Sequence, residues 1–539
     1  MPDTPDKPEK TTDKPKEAET SPTFFEKLVQ KSKWRLQWLF PNTFNSYDGE
    51  KAYFEKRDIE SNAASKVSDN EELRLRVIWA AELYGPAESE EFYQRLGRLR
   101  WSAGFGKSNG ALQWVREQRD YGSSGGSWYN VGLVVSQKDS RQFLNPDNKS
   151  SLPEEVDYML VRFRQATPSL TCVVIGFVLK DGAASIYQEI LNRTYKSTRK
   201  RSRHWRITTL DPSNQRKHAI DQAREKTRRL AEDWFRENLP GFFCSRPPGR
   251  MPTSELITSR SPAYLSRKEN LVSELRDGWR KNLVNVSEFD IWTHTRSPAV
   301  QISTRALDHD DEQFHMVVAL NSVSLNPDEL KTWGGENYRS YAHYTNELTD
   351  GVLSNHACAA FLKEVSKELR HSRSKLRIGE LRRRKSLKVL EQIQTFFDWS
   401  VGIPTIVSEL RDRSQLRGRI EYECEKFTAP VWDRDKERRL IGTYFREQIN
   451  YLSTRVIAEE HSTREHFEQL ASVMSVRESV KAQRKMERLT WIALLVAAAS
   501  LVVALLPLVD WKSRVKTYSE SIGLEQKIEA FLHLTDIGK

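Results

Sequence analysis

Cysteine is scarce in this chain: four residues in 539, Cys172, Cys244, Cys358 and Cys424, all far apart. No CxxC pair and no Cys/His ligand spacing occurs, which argues against a zinc ribbon or a dithiol redox centre. Scattered single thiols fit a reducing compartment, where disulfides are neither needed nor indicated. The first residues lack the apolar run of a cleavable signal peptide. Overall hydropathy is low as well, with a mean of −0.66 and 29% charged residues, which excludes a polytopic membrane protein.

One stretch departs from that composition. Between Arg488 and Asp510 there is no charged residue, and Leu489–Leu508 spans about 30 Å as a helix, the thickness of a bilayer's hydrocarbon layer. Trp491 and Trp511 stand near its ends, where amphipathic rings favour the membrane interface. The segment Ala497-Ala498-Ala499-Ser500 is small enough for close helix packing. A buried helix of a soluble core is the competing account, but such helices rarely run so long without a charge. Arg477, Lys481, Arg484, Lys485 and Arg488 precede the span, and Lys512, Arg514, Lys516 and Lys527 follow it. The bias is slight, and the larger N-terminal part is expected to stay in the cytoplasm.

With 38% hydrophobic and 10% aromatic residues, the rest of the chain can fill about two to four domain cores. Residues 1–22, rich in Pro, Lys, Glu, Asp and Thr, read as a disordered leader. Residues 23–47 contain a basic amphipathic helix. Phe25, Leu28, Val29, Leu36, Leu39 and Phe40 recur at helical spacing among Lys27, Lys31, Lys33, Arg35, Trp34 and Trp38. Such a helix docks on the protein's own core or lies in a membrane interface.

Residues 48–200 predict an α+β domain. Strands are expected over 76–84, 129–136, 156–164 and 170–179, the last two a hairpin broken at Thr167-Pro168-Ser169, with helices over 89–101 and 183–192. The expected arrangement is a largely antiparallel sheet with helices on one face. Residues 193–216 are basic and read as a loop. Residues 201–335 form a second α+β unit or an extension of the first, with a helix over 218–239 and strands over 289–294, 299–306 and 314–323. Residues 336–488 are helical, ending in a stalk from 437, where Phe445, Ile449, Leu452 and Val456, then Leu470, Val473 and Val480, trace a coiled-coil-like seam. Residues 489–509 are the transmembrane helix and 510–539 a short tail. The fold class expected is therefore an α+β cytoplasmic region, a mainly helical region and one C-terminal transmembrane helix. Homo-oligomerisation through stalk and span is a further expectation, with packing inside one chain as its rival.

No catalytic or cofactor motif is legible. Gly104-Phe105-Gly106-Lys107-Ser108 hints at a phosphate loop, but Trp101 stands where the first glycine belongs and a helix, not a strand, precedes it. Gly122-Ser123-Ser124-Gly125-Gly126 matches G-x-S-x-G without the strand–turn–helix context of a nucleophile elbow. Asp308, His309, Asp310 and His315 are the densest set of metal-ligand types, at an expected hairpin tip. His461 and His466 are five apart and share no helix face.

The formal net charge of +11 favours anionic partners, lipid or nucleic acid. The candidate contacts are Arg199, Lys200, Arg201, Arg203 and Arg206, and a second run, Arg382, Arg383, Arg384 and Lys385. Given the span, anionic lipid headgroups in the bilayer are the first choice and nucleic acid the alternative. The order of α/β domain, long helices and Met486-Glu487-Arg488-Leu489-Thr490-Trp491-Ile492 opening a span resembles CorA-type divalent-cation channels over about the last sixty residues. The resemblance implies a helical stalk feeding a membrane helix. The Gly-Met-Asn signature is absent, Leu508-Val509-Asp510 holding that place, and there is no second span, so cation transport does not carry over. The functional expectation is a single-pass anchored protein with a cytoplasmic binding, sensing or scaffolding region. A membrane-tethered enzyme acting on nucleotides or nucleic acid is the alternative, and a subunit of an oligomeric ion-conducting assembly is the more distant one.

Overall fold

A computed structural model of the chain describes residues 24–25, 28–29, 32, 36, 48–103, 110–122, 127–139, 148–201, 207–262, 278–283, 291–304, 314–375, 386–416, 418–424, 426–431 and 436–505. The leader 1–22 and the tail 510–539 lie outside them. Two units result, residues 1–367 with 402–457, and residues 368–401 with 458–539.

The elements run α1 (Asp48–Ser65), β1 (Arg74–Tyr84), α2 (Ser89–Leu99), α3 (Ala111–Asp120), β2 (Ser127–Ser136), β3 (Lys149–Ser150), β4 (Val156–Thr167) and β5 (Leu170–Leu179). Next come α4 (Asp181–Ala184), α5 (Ile186–Asn192), β6 (Thr198–Arg201), β7 (Ile207–Leu210), α6 (Pro212–Asn238), β8 (Thr253–Ser259) and α7 (Gly278–Leu283). The chain continues through β9 (Ile291–His294), β10 (Val300–Thr304), β11 (His315–Asn321), α8 (Pro327–Leu330) and α9 (Tyr338–Lys375). It ends with α10 (Ser386–Ser400), α11 (Ile403–Gln415), α12 (Arg419–Glu423), β12 (Phe427–Ala429), β13 (Arg439–Leu440) and α13 (Ile441–Leu505).

The first unit is organised by one 11-stranded sheet in the order β13-β12-β9-β10-β11-β8-β1-β5-β4-β2-β3. Strands from 48–200 and from 201–335 thus share a sheet, because β8 pairs antiparallel with β1 and parallel with β11. The β4–β5 hairpin forms where the sequence shows long apolar runs around Thr167-Pro168-Ser169. The Gln165 amide donates to the carbonyls of Thr167 (2.7 Å) and Pro168 (3.2 Å), and the Thr171 hydroxyl donates to Gln165 Oε1 (2.9 Å). These bonds satisfy polar groups of a turn whose tip, Pro168 and Ser169, is half-buried.

Residues on a strand alternate between faces, and both faces here are covered by helix. On one side α6 begins with Asp211 accepting from the Asn214 amide (2.8 Å) and Pro212 in the first turn. Its Trp234 and Phe235 pack edge-on against Phe177 of β5. On the other side is α9, whose Asn346 accepts from Trp79 Nε1 of β1 at 2.9 Å. Trp79 fits because its neighbour on β5 is Gly176, where a Cβ would approach the indole to 2.8 Å. The one-face expectation is corrected on this point: helix α9 covers the second face with polar residues, among them Thr345, Asn346, Thr349 and Asp350, all buried. The basic segment 193–216 also differs from a loop, since β6 and β7 pair antiparallel there and α6 starts at Pro212. All four cysteines are buried and free.

The second unit comprises the end of α9, helix α10 and α13 from residue 458 onward. Phe396 meets Phe467 edge-on at 4.6 Å. An open groove of about 320 Å³ lies beside this pair, lined in part by Glu368, Lys375, Gln392 and Trp399.

Candidate membrane segment and buried charge networks

Helix α13 is unbroken from Ile441 to Leu505. Up to Met474 it carries a periodic buried seam, including Phe445 and Ile449 at 0% exposure and Phe467 likewise. Beyond Met474 none of the described residues is buried, and the described apolar run keeps every side chain exposed, from Leu489 at 63% through Trp491 at 67% to Leu505 at 50%. This helix is long and apolar enough to cross a membrane, and none of its apolar window is buried. The two hydroxyls inside the run are satisfied within the helix: Thr490 donates to the Met486 carbonyl and Ser500 to that of Val496, each at 2.9 Å. A hydrocarbon medium requires this, because no water is there to bond a free hydroxyl.

The sequence-derived site residues are placed separately. Arg199, Lys200 and Arg201 belong to strand β6, while Arg203 and Arg206 lie outside the described residues. So do Arg382, Arg383, Arg384 and Lys385, and so do Asp308, His309 and Asp310. Residues 104–109 and 123–126, which hold most of the two glycine-rich motifs, are outside as well. The chain enters the first of these from α2, and Ser102 bridges Gly110 across it, so a helix does precede the Gly-Lys-Ser. His461 stands 3.2 Å from Glu465 on the surface of α13.

His315 is the one proposed metal ligand that is described, and it points into the core. Its Nδ1 is 2.9 Å from Thr253 Oγ1, which accepts from Arg228 Nε at 2.8 Å, so the threonine proton is directed to Nδ1. Its Nε2 then faces Glu255, 3.5 Å away. Glu255 also accepts from Tyr187 (2.6 Å) and from Arg224 Nε and Nη2 (2.9 and 2.6 Å). Burial raises the Glu255 carboxyl, but Arg224 and His315 outweigh it and hold the group well below the usual carboxylate range. Burial pushes His315 down to about 4 despite Glu255. The site therefore holds an ionised carboxylate, an arginine and a neutral imidazole between β8, β11 and α6. Chemically it resembles an oriented acid–base pair, but its members are buried. Among the described residues no group of three or more His, Cys, Asp and Glu can hold a metal ion.

A second network joins the opposite face of the sheet to α9. Asp350 accepts from Arg162 Nη1 (3.3 Å) and Arg164 Nε (2.7 Å), and Arg162 also bonds Glu347. Glu423 pairs with Arg413 and stands 4.0 Å from Arg164. Gly351 lets α9 come this close to the end of α12, since a Cβ there would overlap the Glu423 carbonyl oxygen. Glu82 forms a third buried site, near the end of β1. Its carboxylate takes the backbone N–H of Leu83 (2.9 Å), Phe243 (2.7 Å) and Cys244 (2.9 Å), fastening the segment after α6 to the strand. Burial raises its pKa to about 7, and those N–H groups hold it from going higher.

None of these buried acids and arginines was singled out in the sequence. The available signal was a charge inside an apolar strand, Glu82 in Val77–Tyr84 and Arg162 and Arg164 in Tyr158–Thr167, whereas Glu255 sits in the polar strand Thr253–Ser259 and gave none. Such a charge must find a partner or lose its ionisation. No family model, no curated protein and no solved structure matches the chain.

Proposed function

We propose that the chain is a single-pass membrane protein whose remaining bulk, on the cytoplasmic side, binds, senses or scaffolds at the membrane surface. One observation carries the reading: the last part of α13, from Leu489 on, is uncharged and apolar on every side and contacts no other part of the described protein. In water such a surface is unstable, and a bilayer supplies the missing apolar contacts. The buried charge networks support a body that is built to be rigid, because two of them join a helix to the sheet and the third ties the segment after α6 to β1.

The test is fractionation of cells expressing the full chain and a chain ending at Arg488. The full chain is expected in the alkali-resistant membrane pellet and the shortened chain in the supernatant. Equal pelleting of both in alkali would overturn the anchor, and a further loss on replacing Phe24, Phe25 and Leu28 by Ser would transfer the contact to the N-terminal helix. Protease accessibility of the N-terminal part in intact cells tests the orientation, protection being the expected outcome.

A further inference from the structure

The five bases between Met474 and the apolar run occupy one side of the helix. At about 100° per residue, Arg477, Lys481, Arg484, Lys485 and Arg488 fall within an arc of about 100°. The opposite side carries Ser475, Ser479, Ala482 and Met486. The two acids nearby, Glu478 and Glu487, flank the basic arc without entering its centre, and Glu478 bonds Lys481 at 2.9 Å. Arg484, Lys485 and Arg488 are exposed, and they stand within about 8 Å of Leu489 along the helix axis. A headgroup layer is about 5–8 Å deep on each side of the hydrocarbon. If Leu489 enters the hydrocarbon, these three cations lie at the level of the lipid phosphates. Lys481 and Arg477 follow at about 12 and 18 Å from Leu489, so that Lys481 lies within one screening length (about 8 Å) of the headgroup layer and Arg477 beyond it.

From this geometry we infer that the basic side of α13 recognises anionic phospholipid headgroups in the leaflet where the span begins. The inference rests on the anchor reading and adds the lipid class and the residues that select it. A purely solvated helix would have no reason to gather its bases on one side and to place the densest part against the first apolar turn. Near an anionic surface each such base contributes about a fivefold preference, less when a neighbouring acid shares it.

The experiment uses the full chain reconstituted in nanodiscs of phosphatidylcholine with a minor fraction of phosphatidylglycerol, followed by native mass spectrometry of the lipids retained. The wild-type chain is expected to retain phosphatidylglycerol over phosphatidylcholine by about tenfold or more relative to the disc. Replacing Arg477, Lys481, Arg484, Lys485 and Arg488 together by Gln is expected to bring that ratio near unity while the chain remains in the disc. A control loses the same charge elsewhere, through Lys56, Arg98, Lys138, Lys226 and Lys331 to Gln, and should keep the wild-type ratio. Unchanged enrichment in the first variant, or equal loss in the control, overturns the inference. A wild-type chain that does not enter discs at all overturns the anchor reading first and this inference with it, and is recognised by its absence from the disc fraction.

Discussion

The two parts of α13 obey opposite rules. Before Met474 the helix hides one stripe, with Ile441, Phe445, Ile449, Leu452 and Val456 buried and polar residues between them. After it, Val476, Val480 and then the whole run from Leu489 are exposed whatever their angle around the axis. A stripe means that protein covers one side of a helix in water, whereas apolar residues all around mean that the medium itself is apolar. On the proposed reading the same backbone element passes from water into lipid, and each of its two parts offers its own test.

Acid should give the largest separation. His315 and His356 are buried and His343 nearly so, and burial pushes each from 6.5 to about 4. A depressed histidine contributes stability above its unfolded value and loses it as pH falls from 6.5 towards 4, about 3 kcal/mol apiece. Glu82 acts in the opposite sense: its raised pKa contributes stability below 4.5 that is lost as pH rises through about 7. It offsets about one histidine, so acidification between pH 6.5 and 4 should destabilise the body by several kcal/mol. The run from Leu489 to Leu505 contains no titratable group, so acid-washed membranes should keep the chain in the pellet. Denaturant midpoints across this range in detergent would show the loss, and His315→Gln should flatten the slope. A pH-independent midpoint would show that the burial of these rings is wrong.

Substitution comes next. Phe445→Ala removes a fully buried ring and should cost about 3–5 kcal/mol of stability, read as an earlier denaturation midpoint. Val496→Arg, in the middle of the run, should leave that midpoint alone and instead cost about 2.5–3.5 kcal/mol of membrane insertion, read as the inserted fraction of a glycosylation-tagged chain. If Val496→Arg inserted as well as wild type, the second part of α13 would not face lipid. Smallest of all is Thr490→Val with Ser500→Ala. Both hydroxyls bond only their own helix, so insertion should change by less than about 0.5 kcal/mol.

The legible parts of this molecule were those whose signal is local. The apolar run at the end of α13 and the β4–β5 hairpin announce themselves by length, apolar content and a Pro-containing turn. Strand β8 did not, because it is short and carries Glu255, and its parallel pairing with β11 is a long-range fact. Strands β12 and β13 exist only through pairing with β9 and with each other. The first half of α9 falls in the region expected to be helical, but its packing against the sheet was not legible, for a physical reason. Its sheet-facing side is polar, since Asn346, Glu347 and Asp350 answer Trp79, Arg162 and Arg164, so no apolar stripe marks it. The buried networks were hidden likewise: each residue looks like an ordinary surface charge until its partner, often far away in sequence, is known. His315 was noticed for its neighbours in sequence, and it is His315's neighbours in space that define its role.

The burial of all four cysteines has a practical chemical consequence. Burial pushes each thiol above its usual range, Cys358 to about 11 and the others further. At neutral pH they are both shielded and protonated, so a maleimide or an oxidant meets almost no thiolate in the native chain. An added surface cysteine can therefore be labelled alone without removing the native four. When the native thiols do react, the rate of their modification is a clock for the opening of the fold.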